Sequence, residues 1–296
     1  MSAAPVQEGV ELTPPTMGMT LFRLIIRVAG RAPAYMLLYV VCACYVLFNA
    51  QVRRSCAPYL RRRFPRAVGF YYWWHCYRLV HSFGRSILDR VIASVLGSDT
   101  FAVSLRGRDT LFRLRDEGRG MILLLSHVGC WQMAVAAFAA LEQPVYMLMH
   151  HHASVFEQRH GGGFAFEVID PNGYLGGALE MLGVLKDGGI LAIMGDRVPP
   201  REKNVVRVPL LGGEVALPVS AYHLASSTGA PIAVLTSHRR DDGSYLMEVA
   251  EVLEVPRALG RRCDSYRPYA YRYAAVLERY CARYPYQFYN FFDMWQ

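Results

Sequence analysis

From about residue 100 onward, short apolar runs of strand length recur, separated by stretches with a helical pattern. FAVSL begins at 101, MILLLS covers 121–126, PVYMLM 144–149, FEVID 166–170 and ILAIMG 190–195. PIAVLTS at 231–237 and YLMEVAEVL at 245–253 extend the series. Helix-compatible segments lie at 109–117, 130–141, 173–187 and 218–228, and 268–283 reads as a closing helix before an aromatic tail. A run that is apolar at every position must be covered on both faces, as in the interior of a sheet between helices. The alternation predicts an α/β fold: a central, mostly parallel sheet flanked by helices.

The first third of the chain follows other rules. Residues 1–20 are rich in proline and small residues and read as a flexible tail, without the layout of a secretory leader. Residues 21–31, LFRLIIRVAGR, place Arg23, Arg27 and Arg31 at spacing four, one basic stripe on a helix suited to the lipid headgroup layer. Pro33 breaks or bends the path. Residues 34–52 carry no charge. As a helix this run is about 28 Å long, against roughly 30 Å of bilayer hydrocarbon, so it spans, re-enters or is simply buried in protein. FYYWWHCY at 70–77 suits the membrane boundary or a packed aromatic contact with the next domain. The expected division is a tail over 1–20, a basic, membrane-anchoring helical region over 21–94, and an α/β domain over 95–296.

The net charge of +8 is local, because residues 12–88 hold eleven arginines and no acid. Arginines flanking apolar helical patterns fit an anionic membrane surface better than nucleic acid, which calls for basic residues among polar ones. Seven cysteines without a CxxC pair give no disulfide framework or zinc site. His150, His151 and His152 are adjacent and cannot share a face, so no metal is expected there.

The strand MILLLS runs directly into His127, then Val-Gly-Cys-Trp-Gln, then a helical pattern. The carboxyl end of a strand in an open α/β sheet is where ligands bind. A neutral histidine there can take a proton from a hydroxyl while a helix N-terminus faces the developing oxyanion. A histidine satisfied within the turn is the bland alternative. Gly129 permits a close substrate approach or an unusual turn. Cys130 offers a thiol near a helix start, although small buried cysteines are common. No G-x-S-x-G is present, so a serine hydrolase is not supported.

SHVGCWQMA resembles the His-x4-Asp/Glu motif of the glycerolipid acyltransferase superfamily, in particular the branch with the bacterial lauroyl/myristoyl acyltransferases of lipid A biosynthesis. The likeness runs through HSFGRSILDRV at 81–91, EGRGMILLLSHVGCW, GGILAIMGDRV at 188–198, and the block at 208–235, where an apolar loop leads to a helix and a strand. It ends in QFYNFFDMW.

The resemblance implies that His127 is the general base. It would activate a hydroxyl or amine of a membrane lipid for attack on the thioester of an acyl carrier protein or coenzyme A. No cofactor is implied, and the location would be the bacterial inner membrane with the α/β domain facing the cytoplasm. The acidic position of the motif is Gln132 here, which can hold the ring but brings no charge. Asp196, ending its own strand, is the expected substitute. Arg197 and Arg201, with Lys203 and Arg207, would bring guanidinium and ammonium groups to substrate phosphate. Gln132 also keeps a second reading open: a non-catalytic membrane protein that binds lipid or acyl carrier on the same fold.

Overall fold

The computed structural model describes residues 16–149, 166–170, 177–199 and 202–295. His150, His151, His152 and Arg201 lie outside these residues.

Seven strands form one sheet in the order β1-β9-β8-β2-β5-β3-β4. These are β1 (Val103–Arg106), β2 (Met121–Leu125), β3 (Val145–Leu148), β4 (Phe166–Ile169), β5 (Ile190–Met194), β8 (Ile232–Arg239) and β9 (Tyr245–Leu253). β8, β2, β5, β3 and β4 run parallel. β9 is antiparallel to β8 and carries β1 alongside it. Each expected strand is present, and the sheet is central and mostly parallel. Every β2 residue is buried, because the two sheet faces belong to different apolar clusters. Ile122 and Leu124 point into one, Met121, Leu123 and Leu125 into the other.

The flanking helices are α5 (Arg108–Asp116), a single turn α6 (Trp131–Ala134), α7 (Ala178–Lys186), α8 (Ser220–Thr228) and α9 (Arg267–Arg283). The helix expected over 130–141 is therefore mostly something else: past Ala134 the chain continues as a 3-10 helix, Val135–Leu141. The apolar loop expected near 208 is a hairpin of β6 (Val205–Leu210) and β7 (Gly213–Pro218). Its turn residues Leu211 and Gly212 both have positive φ, 50° and 72°, which matches strand twist. Glu278 of α9 accepts the Leu211 N–H at 3.2 Å, and Trp295 donates its indole N–H to the Leu210 carbonyl at 2.8 Å. These contacts hold an unusual leucine in the turn and tie the hairpin to the chain's end.

Four helices precede the sheet: α1 (Thr16–Ala29), α2 (Arg31–Phe48), α3 (Ala50–Arg63) and α4 (Gly69–Leu96). α1 begins five residues before the expected start at 21. The arginine stripe is interrupted, because Gly30 at φ 81° ends α1 and Arg31 opens the next helix. Pro33 sits in the first turn of α2, where its missing N–H costs nothing. The uncharged run over 34–52 is also divided. Asn49 caps α3, its side chain accepting from the Gln51 and Val52 N–H groups at 3.0 and 3.2 Å.

α2 is long and apolar enough to cross a membrane. Its buried residues Ala34, Leu38, Cys42 and Val46 recur at spacing four and face α4. A Cβ on Gly84 of α4 would come within 3.1 Å of Leu38 and Cys42, so the glycine admits the close crossing. The opposite side is exposed and apolar: Met36, Val40 and Phe48 are 71%, 60% and 83% accessible, joined by Val28 of α1 and by Phe70 and Tyr71 of α4. α3 turns inward, burying Cys56, Tyr59 and Leu60 in the same cluster as the sheet. Tyr59 donates to the carbonyl of Pro285 at 2.7 Å.

Candidate active site

β2 and β5 are neighbours in register, Leu125 opposite Met194. Two residues beyond each strand end stand His127 and Asp196. Gly195 N–H donates to the Leu125 carbonyl at 3.0 Å and carries the pairing past the strands. The imidazole and carboxylate then meet, His127 Nδ1 lying 2.8 Å from Asp196 Oδ1. The other carboxylate oxygen accepts the backbone N–H of His127 and the side-chain amide of Asn290, each at 2.9 Å.

Asp196 is fully buried, while a quarter of the His127 side chain remains accessible. Burial alone would raise the Asp196 pKa, but the His127 ring, its hydrogen bonds and Arg197 hold it well below the usual carboxylate range. His127 is lowered from its ordinary 6.5, first by burial and then by Arg197, with Asp196 opposing. At neutral pH the pair is thus a carboxylate beside a neutral imidazole. The carboxylate takes the proton-bearing Nδ1, so the Nε2 lone pair points away. Among the described residues, Nε2 has no hydrogen-bond partner.

Gln132 does not join this pair. It is half-buried, with its carbonyl oxygen 3.9 Å from the Cys130 thiol and no hydrogen bond to His127 among the described residues. The four-residue spacing of the motif falls across a single helical turn followed by a 3-10 segment, so it does not bring the side chain back to the ring. For the same reason, no extended helix N-terminus faces the site. The N–H groups of His127 and Gly129 are engaged with Asp196 and with the carbonyl of Gln287.

Gly129 serves the turn. At φ 57°, a Cβ there would lie 2.0 Å from the carbonyl oxygen of Ser237 on β8. Cys130 is buried with its pKa raised, and its sulfur is 3.7 Å from the Ser86 carbonyl, which suits a neutral packed thiol. Arg197 points inward, donating to the Asn290 side chain at 2.8 Å and the Tyr289 carbonyl at 3.0 Å, with its guanidinium over Phe292. Lys203 and Arg207 are exposed.

Asn290 was not singled out in the sequence. Its signal was faint: one amide within the aromatic run QFYNFFDMW. The tail folds back along the catalytic turn, with an isolated bridge between Val128 and Phe288 and the Tyr289 N–H donating to the His127 carbonyl at 2.9 Å.

The sequence was then compared with known proteins. No curated protein sequence matches it at a significant level. The family described as bacterial lipid A biosynthesis acyltransferase matches residues 78–296, which include the sheet, the His127 turn, Asp196 and the aromatic tail. The chain belongs to the bacterial lipid A biosynthesis acyltransferase family, and its activity is that of an acyltransferase.

Proposed function

We propose that the protein moves a fatty acyl chain from an acyl carrier protein or coenzyme A thioester to a hydroxyl or amine of a membrane lipid, with His127 as general base. The observation that carries this reading is the 2.8 Å contact between His127 Nδ1 and the buried Asp196 carboxylate, with Nε2 left available. Nε2 takes the proton of the acceptor hydroxyl or amine as its oxygen or nitrogen attacks the thioester carbonyl. Asp196 stabilises the imidazolium that forms, and the thiol of the carrier leaves with a proton. Asn290 and Arg197 are positioning residues that keep the carboxylate aimed at the ring.

Gln132 no longer motivates a non-catalytic reading once the carboxylate comes from a neighbouring strand. The exposed apolar side of α1, α2 and the start of α4, with its flanking arginines, suits attachment to the bacterial inner membrane with the sheet domain on the cytoplasmic side, where carrier thioesters occur. The test is release of free thiol from acyl carrier protein or acyl-coenzyme A by purified protein with lipid extract as acceptor. Lipid-dependent release that disappears in His127→Ala is the expected result. Release unchanged by that substitution would overturn the assignment of the base.

A further inference from the structure

At the carboxyl end of β8, one strand over from the His127 turn, the surface opens into a cleft of about 670 Å³. One wall is a face of α4 that carries Arg78, His81 and Arg85. The end of β8 and the turn after it supply His238, Arg239, Arg240 and Asp241. The third side is Arg283 with the segment through Gln287. Five guanidinium groups from three distant parts of the chain therefore face a space with one carboxylate at its lip.

Arg239 is held by the buried Asp89 at 2.7 Å, and Asp89 also accepts from the hydroxyls of Tyr35 and Tyr245. Among the described residues, Arg78, Arg85, Arg240 and Arg283 pair with no carboxylate. Arg78 lies over the Tyr286 ring at 4.0 Å and Arg283 over Tyr284 at 5.3 Å, so two of the guanidinium groups are steadied by aromatic faces. The histidines register the field. His81 is pushed down to about 4 by burial, then by Arg85 and Arg239. His238 is pushed down to about 4 by burial, then by Arg240, Arg283 and Arg106. Gathering this much positive charge in a concave site is costly without a counter-charge, and guanidinium forks match phosphate oxygens.

We propose that this cleft binds the phosphate-ester portion of a substrate. Cys130 and Tyr289 form part of its wall, and the Tyr289 N–H holds the His127 carbonyl, so an occupant rests against the back of the catalytic turn. Phosphate esters occur on both partners of the proposed reaction, in the pantetheine arm of the donor and in phosphorylated lipid headgroups. The choice between these sources rests on the proposed function; the cleft's affinity for phosphate does not.

The experiment uses full-length protein in detergent, ¹⁵N-labelled at histidine and titrated with inorganic pyrophosphate at constant ionic strength. Signals assigned through His81→Gln and His238→Gln should shift, and both histidines should titrate at higher pH, because a bound anion favours their protonated forms. Arg240→Gln/Arg283→Gln should weaken pyrophosphate about tenfold or more, since it removes two charge-assisted donors. If that pair does not fold, Arg240→Gln alone should weaken it less, in the same direction. Signals unmoved by pyrophosphate, or equal binding by the double variant, would overturn the proposal. The source is read from KM with kcat retained. A rise for acyl-coenzyme A but not for an acyl N-acetylcysteamine thioester, which has no phosphate, assigns the donor. A rise for a phosphorylated acceptor with the phosphate-free thioester assigns the acceptor, and unchanged KM for every phosphate-bearing substrate would overturn the substrate role. Pyrophosphate binding without any acyl transfer would refute the proposed reaction and leave the phosphate site standing.

Discussion

His127 and Asp196 divide one task. The imidazole moves a proton, and the carboxylate fixes which nitrogen does it and bears the charge that results. His127→Ala should lower turnover by about 10²–10⁴, the usual contribution of a positioned general base, with an unchanged circular dichroism spectrum. Asp196→Asn should be severe as well; in the serine protease template the same acid-to-amide change costs about 10⁴. It also has a pH signature. The working form of His127 is neutral, so activity is lost as pH falls through its pKa, which lies below 6.5. Asp196 raises that pKa, so its removal should move the acid limb of kcat/KM to still lower pH while the plateau drops. A limb that moves upward, or a plateau that stays, would exclude this role. Gln132→Glu tests the motif position directly. With its side chain beside Cys130 rather than the ring, the substitution should change turnover by less than about tenfold, and a large gain would mean the turn rearranges to recruit it.

The elements around this pair are fixed by close backbone approach and by an uncovered helix surface. In the turn after β2, Gly129 lies against β8 so tightly that Gly129→Ala meets both a left-handed φ and the Ser237 carbonyl. The conformational part alone costs about 1–2 kcal/mol, and the overlap adds to it. Its melting temperature should fall and its turnover with it, because His127 sits on the same turn; a variant with both unchanged would show that the turn adapts. α1 and α2 pose the opposite problem. Val28, Met36, Val40 and Phe48 are exposed, so changing all four to glutamine should leave the fold intact while removing surface worth about 1.5–3 kcal/mol per fully buried apolar side chain in a membrane. The quadruple variant should leave the membrane pellet, and what remains attached should be released by salt, since the arginines alone hold it. Full retention in the pellet through a high-salt wash would place the anchor elsewhere.

The molecule joins its two ends. α3, from the basic first third, packs into the same apolar cluster as the sheet and the aromatic tail, and the Tyr59 hydroxyl reaches the Pro285 carbonyl across 226 residues of chain. Asp89, Tyr35, Arg239 and Tyr245 form a second tie, buried between α2, α4 and the β8–β9 end of the sheet. The basic cleft is a product of this folding, and it makes stability depend on pH. His81 and His238 each have a folded pKa near 4 against an ordinary 6.5, so below 6.5 the unfolded chain takes up protons first. Stability should decline as pH falls from 6.5 toward 4. His81→Gln/His238→Gln should flatten that decline in denaturant midpoints compared between pH 7.5 and 5. An equal decline in the variant would assign it to other groups.

Local pattern was enough to read the strand series, the sheet class, His127 at a strand end and the apolar anchor, because each depends on the order of residues along a few turns or one strand. Asp196 was approachable for the same reason: it ends a strand, and strand ends in a parallel sheet gather on one side. The pattern failed where a residue's partner lies far away in the chain. The uncharged run from 34 to 52 reads as one helix until Asn49 supplies a cap, and the hairpin turn at Leu211 lacks the usual asparagine or glycine because Glu278 holds it from another helix. Gln132 occupies the motif position in sequence, yet a one-turn helix leaves it beside Cys130. Asn290 behind Asp196, and the five arginines drawn from residues 78 to 283 around one cleft, owe their places to long-range packing. Hydrogen bonds and charge act through space, and folding sets the distances over which they act.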